Sequence, residues 1–143
     1  MSLKHLVKND GELNILTFPT HERYQQGLSL TGHTFWLYRG NHIKDWERKY
    51  GELPQNHILL PPKSIPADIK FDIVLSQNKF GQFPIAQKLT NNLNIPLISL
   101  EHTLPLAQWD NNTRSQLKSM VGDVNVFISQ YSVSEWGFDD VPN

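Results

Sequence analysis

The sequence predicts an α/β domain: a three-layer, Rossmann-like arrangement with a mostly parallel sheet of about six strands and helices on both faces. Three observations predict it. Six short apolar runs recur along the 143 residues, and most are continuous rather than alternating, as strands covered on both faces are. Helix-length segments separate several of these runs. Strand, helix, strand in succession implies right-handed crossovers and parallel pairing, with strand order 3-2-1-4-5-6 or a close relative.

The first run is Leu13 to Phe18, "LNILTF", closed by Pro19. Glu22 to Leu30 follows as a short helix. The second run, Thr34 to Tyr38, is rich in aromatic residues, as strands are. Gly40 to His57 carries Trp46 and Tyr50, with a short helix expected at Lys44 to Tyr50. Ile58 to Leu60 is the third run, stopped by Pro61-Pro62, and the Pro-rich stretch to Ala67 reads as a loop. Phe71 to Leu75 is the fourth run. Phe80 to Leu93 places Phe83, Ala86, Leu89 and Leu93 near helical spacing, with Pro84 tolerated in the first turn. Asn94 ends that helix and Pro96 to Leu100 follows at once as the fifth run. Asn111 to Val121 puts Leu117, Met120 and Val121 on one face, with Gly122 expected as the C-terminal cap. Val124 to Ile128 is the sixth run.

This length is that of one ordinary domain able to bury a core. Hydrophobic residues at 38% and charged residues at 19% describe an ordered, soluble chain rather than a disordered one. A net charge of −1 without a Lys/Arg stripe argues against nucleic acid as a partner. The absence of cysteine excludes a disulfide framework, a Cys-based zinc site and a thiol nucleophile, and suits a reducing cytoplasm. The opening "MSLKHLVKND" lacks the apolar stretch of a signal peptide, and no run approaches a membrane span, so no integral membrane segment is expected. Asn111-Asn112-Thr113 matches a glycosylation sequon by chance on this reading.

In open parallel sheets, ligands sit outside the carboxyl ends of the strands, where the strand order reverses. The sequence places polar groups at four such ends. Thr20, His21, Glu22 and Arg23 follow the first strand, and Ser76, Gln77, Asn78 and Lys79 the fourth. Glu101 and His102 follow the fifth, and Ser129, Gln130 and Tyr131 the sixth. The pattern fits a cleft for a polar, hydroxyl-rich or phosphorylated ligand. His102 is the strongest single candidate, because an imidazole at the end of an apolar strand can donate, accept or titrate; its other reading is a residue that closes the following turn. Glu22 reads better as a first-turn acid facing the helix dipole. Arg23 and Lys79 could meet a phosphate, or stand as solvated charges. There is no G-x-G-x-x-G, no P-loop and no G-x-S-x-G elbow. His5, His33, His42 and His57 lack metal-ligand spacing, so no metal and no cofactor is expected.

The stretch "FDIVLSQNKFGQFPIAQKLTNNLNIPLISLEHTLP", followed by "VGDVNVFISQYSVSEWGF", resembles the N-terminal domain of a GT-B glycosyltransferase. The resemblance is to the retaining, family 4-like kind with two Rossmann-like domains, and it covers roughly Asp72 to Phe138. It implies an acceptor-side domain, with a nucleotide-sugar donor held mainly by a second, C-terminal domain and transfer in the cleft between them, without a metal. The family's strand-ending histidine, which reaches the transferred sugar and its phosphate, falls on His102 as the catalytic residue. The serine at the cleft wall falls on Ser129. Thr20, His21, Gln77, Asn78 and Tyr131 would line the acceptor pocket. Many members carry a Gly-Gly loop after the first strand; here "PTHERYQQG" stands there, and His21 or Arg23 would take over its phosphate contact.

The chain runs out at "DDVPN", where the family approaches its interdomain linker, so the donor domain is expected from elsewhere in a longer protein or from a partner chain. Alone, the domain is expected to be inactive. Expected partners are a sugar or glycan acceptor, the nucleotide sugar, the second domain and a second copy as a homodimer. The expected location is the cytoplasm or the inner face of a membrane. The alternative is a non-catalytic Rossmann-like module that binds a small ligand or a partner chain. A missing domain should leave an exposed apolar patch, for which Trp136 and Phe138 are the candidates unless they pack the last helix.

Overall fold

The structure, a computed structural model, describes residues 11–79, 81–102 and 104–138. The strands are β1 (Asn14–Thr17), β2 (Thr34–Leu37), β3 (His57–Leu59), β4 (Ile73–Ser76), β5 (Leu97–Glu101) and β6 (Val124–Phe127). The helices are α1 (Glu22–Ser29), α2 (Gln82–Leu93), α3 (Asn111–Lys118) and α4 (Gln130–Trp136). The six strands form one sheet in the order β3-β2-β1-β4-β5-β6, every neighbouring pair parallel. The predicted α/β class and strand order are therefore those of the molecule. Among the described residues no helix is long and apolar enough to cross a membrane.

The continuous apolar runs follow from burial on both faces, since successive strand residues point to opposite sides. On one side Leu16, Trp36, Val74 and Leu97 pack with Phe83, Ala86 and Leu89 of α2. On the other, Ile15, Phe35, Leu75 and Leu100 form a smaller cluster that Leu28 of α1 covers. A third cluster joins Leu117 of α3, Val133 and Trp136 of α4, and Phe138. Trp136 and Phe138 are thus buried, not an exposed patch; Val124 and Val126 of β6 and Ile128 are among the apolar residues left exposed.

Three local expectations are corrected. Only Arg48–Tyr50, a single 3₁₀ turn, is helical in the stretch expected as a helix from Lys44, because Trp46 is buried and its indole N–H is spent on Gly51 O at 3.1 Å. α3 ends at Lys118 with Ser119 as its cap, so Gly122 is no helix cap. Gly122 is required by close approach instead: a Cβ there would lie 2.7 Å from Leu97 O on β5. Asp123 pins the same turn, its N–H donating to Leu97 O and its carboxylate accepting from Leu97 N, both at 2.8 Å. Finally, Lys79 is no solvated charge; it is 2% exposed. Asn94 does end α2, in the left-handed conformation at φ 54°. Phe80, the expected start of α2, and Thr103 lie outside the described residues.

β1 and β4 meet at the reversal of strand order, and their register covers only Ile15↔Ile73 and Leu16↔Val74. Beyond those pairs the carboxyl ends diverge into the loops that carry the candidate residues. Side chains complete the joint: Asp72 accepts from Asn14 N at 2.8 Å below it, and Thr17 Oγ1 donates to Leu75 O at 2.7 Å above it.

Candidate functional site

The loops after β1, β4 and β5 converge at this reversal. His102 follows β5 directly, half-buried, with its Nε2 3.2 Å from Gln77 Oε1 at the end of β4. The imidazole meets the His21 ring edge-on with centroids 5.0 Å apart, and the Tyr24 ring at 4.4 Å. Residues from three loops or helix starts, separated by up to 81 positions, thus form one aromatic and amide cluster. His21 and Tyr24 are exposed, so the cluster opens to solvent.

The hydrogen bonds behind His102 fix its tautomer. Thr17 Oγ1 donates to Leu75 O, so it accepts from Gln77 Nε2 at 3.0 Å. Gln77 therefore presents its carbonyl oxygen to His102, and His102 Nε2 carries the proton. Nδ1 is left as an acceptor with no hydrogen-bond partner among the described residues. Burial, with His21 beside it, pushes His102 down to about 4, so the ring is neutral at pH 7.

The network continues away from His102. Gln77 N donates to Gln82 Oε1 at 2.8 Å, and Gln82 Nε2 donates to Thr20 Oγ1 at 2.8 Å. Thr20 Oγ1 donates to Phe18 O, which also accepts from Gln25 Nε2. Gln25 Oε1 then faces His57 Nε2 at 2.8 Å. His57 stacks on Phe35, is 3% exposed, and is pushed down to about 4 by desolvation. A continuous polar chain thus runs from His102 at the carboxyl end of β5, across the β1/β4 joint, to His57 at the start of β3. Behind half-buried His102 its members are buried and bonded to one another, which makes it a rigid floor.

Two cavities flank the His21–Tyr24–His102 cluster. One, of about 290 Å³, is lined by Thr20, His21, Glu22, Arg23, Lys44 and Tyr50. Glu22 is its buried anion, ion-paired with Lys44 and accepting from Glu47 N at 3.0 Å. Burial raises Glu22, but Lys44 and the Glu47 N–H outweigh it and leave the carboxyl below its usual range. The first-turn placement expected for Glu22 is found, with a second role as anchor of the loop after β2. The other cavity, of about 220 Å³, lies on the β5 side, between Asn78 and Lys79 of the loop after β4, Glu101 at the end of β5, and Leu104, Leu106, Trp109 and Trp136 around them.

The structure brings His102, Gln77 and His21 into contact, sets Thr20 behind them, and places Arg23 in the first cavity and Asn78 in the second. The Thr20 hydroxyl is committed to Phe18 O and Gln82, and Gln77 is 1% exposed, so both serve the floor. Asn78 Oδ1 accepts from Gln82 N at 3.3 Å at the start of α2. Ser129 is the N-cap of α4, accepting from Ser132 N at 3.1 Å, and lines a separate depression with Asn125 and Val133. Tyr131, 63% exposed, stands in the first turn of α4. Sequence reasoning missed Thr17, Gln25 and Gln82 as members of the floor. Their signal is a polar residue on an inward-facing position of a strand or helix, which signals a buried network. Among the described residues no three His, Asp or Glu side chains gather as a metal site.

Comparison of the chain with protein-family models, curated proteins and solved structures finds no match in any of the three.

Proposed function

We propose that the carboxyl edge of the sheet binds a hydroxyl-rich ligand at His102, and that the domain is the acceptor side of a nucleotide-sugar-dependent glycosyltransferase of the GT-B type. The observation that carries this reading is the oriented, neutral imidazole at the β1/β4 reversal. Its Nδ1 is an acceptor without a hydrogen-bond partner among the described residues, on a ring held by a fixed floor beside the exposed rings of His21 and Tyr24. A sugar hydroxyl donates to such a nitrogen while the sugar's apolar C–H face packs on a ring.

The chemistry divides accordingly. An imidazole at about 4 is a weak base at pH 7, so His102 orients an acceptor hydroxyl rather than removing its proton. A neutral ring gives no charge to a departing nucleotide diphosphate. That stabilisation falls to Arg23, exposed in the first cavity, and to groups of a second domain or partner chain. By itself the domain holds an acceptor and turns over negligible nucleotide sugar.

The test is saturation-transfer NMR on the 143-residue chain, against a panel of monosaccharides, disaccharides and nucleotide sugars. Acceptor sugars should give a signal, and His102→Ala should weaken it at least fivefold with the circular dichroism spectrum unchanged. His102→Gln, which keeps an acceptor, should retain part of it. No sugar signal in the native chain, or an unaffected signal in His102→Ala, defeats the reading. A second reading, a non-catalytic binding module, is favoured by the closure of Thr20 and Gln77 into internal bonds. It is separated from the first by transfer activity when a donor domain is supplied in trans.

A further inference from the structure

We propose that Lys79 is a carbonyl-reactive lysine, and that the cavity on the β5 side admits a small aromatic or branched aliphatic aldehyde to its amine, which captures it as an imine.

Lys79 lies in a turn after β4 and is 2% exposed, yet it lines a cavity of about 220 Å³. Its Nζ lies 5.0 Å from the Phe138 ring centre, 5.6 Å from that of Phe83 and 5.9 Å from that of Trp136. It donates to Met120 O at 2.6 Å and to Ser99 Oγ at 3.4 Å. Those two acceptors match the two N–H groups of a neutral amine and leave its lone pair over. Among the described residues the charge set against it is Glu101 of β5; Ser99, Met120, Phe83, Trp136 and Phe138 bring none. Desolvation, partly opposed by Glu101, lowers the ammonium from 10.5 to about 8. At pH 7.4 roughly a fifth of the amine is then neutral, on the order of 10² times the fraction in an exposed lysine. A desolvated lysine in an apolar pocket is the state in which lysine acts as a nucleophile. The walls, Leu104, Leu106, Trp109 and Trp136, select an apolar body, and Asn78 adds a neutral polar group to the lining.

The step balances without a redox partner. The lone pair of Nζ forms the C–N bond to the carbonyl carbon, and the oxygen takes up the proton that nitrogen releases. The carbinolamine then expels its hydroxyl as water, with one proton supplied by solvent. The protonated imine that results keeps one N–H for Met120 O and has Glu101 as its counter-charge.

The experiment treats the native chain with benzaldehyde or isovaleraldehyde at pH 7.5, with cyanoborohydride present to reduce any imine to a secondary amine, and maps the modified lysines by peptide mass spectrometry. Lys79 should be modified at least tenfold faster than the exposed Lys49, Lys63 and Lys88, and its rate should rise to a plateau with a midpoint near pH 8. Leu106→Trp, which fills the cavity, should slow Lys79 at least fivefold and leave Lys88 unchanged. Modification of Lys79 no faster than the surface lysines, or only after unfolding in urea, overturns the proposal. An undiminished Lys79 rate in Leu106→Trp overturns the cavity as its route. Lys79→Met, tested for its fold by circular dichroism, should abolish the fast component alone.

Discussion

Lowering the pH from 7.5 to 5.0 should cost the fold about 3–4 kcal/mol through two imidazoles. His57 and His102 are each held at about 4 in place of the usual 6.5 by desolvation. The unfolded chain therefore binds protons that the folded chain refuses. The contribution is complete above pH 6.5 and drains away as the pH falls toward 4. Integrating one such shift between pH 7.5 and 5.0 gives about 2 kcal/mol. His57, at 3% exposure, should deliver nearly all of that, and half-buried His102 somewhat less. Stopping at pH 5.0 excludes Glu22, whose contribution is lost only as the pH falls below about 4.5. Urea unfolding followed by tryptophan fluorescence, in half-unit pH steps, should show the midpoint falling throughout the window. His57→Gln should roughly halve the slope even if it also lowers stability at pH 7.5. Stability that stays flat from pH 7.5 to 5.0, or NMR titrations of both rings near 6.5, would refute the neutral state of the two imidazoles. Either result would mean that the carbonyl oxygens facing the rings, those of Gln25 and Asn56 at 2.8 and 3.3 Å from His57 and that of Gln77 at 3.2 Å from His102, outweigh desolvation.

Three further outcomes are expected. Gly122→Ala should destabilise by about 2–3 kcal/mol, because its Cβ meets the β5 backbone and no side chain can yield. Gly27→Ala, in α1 with nothing within 4 Å, should stabilise by about 0.5–1 kcal/mol in the same denaturation assay. Thr17→Val should cost about 1–3 kcal/mol and release the Gln77 amide, so that ¹⁵N NMR shows His102 as a mixture of tautomers; a single Nε2–H form in the variant would refute the hydrogen-bond chain.

The sheet was legible because its signal is dense. Residues such as Leu16 and Trp36 face one side, Ile15 and Phe35 the other, and each pair writes a continuous apolar run. The order of runs and helices then leaves few right-handed topologies. His102 was legible because a strand that stays apolar to its end delivers the next residue to the edge. The polar floor was not, because Thr17, Gln77 and Gln82 look like any strand-end threonine or loop glutamine until the β1/β4 joint brings them together. Gly122 was misread for a related reason: a helix cap and a backbone approach both select glycine, and only the neighbour across space distinguishes them. Lys79 looked like a surface charge, since nothing local announces that Phe83, Trp136 and Phe138, up to 59 positions away, will enclose it.

The short joint between β1 and β4 also governs how the chain reaches its native state. Its two residue pairs span 58 positions, and Asn14–Asp72, Thr17–Leu75, Thr17–Gln77 and Thr20–Gln82 all cross the same line. The segments on either side, β1-α1-β2-β3 and β4-α2-β5-α3-β6-α4, pair within themselves over shorter stretches of sequence. Loop closure across the joint has the larger entropic cost and returns few contacts until several bonds form together. Refolding is thus expected to assemble two half-sheets first and to be limited by their meeting. Thr17→Val should then slow refolding in stopped-flow fluorescence, whereas Gly27→Ala, within one half, should not. The glutamine and threonine bonds that steady His102 would also be the ones that close the fold.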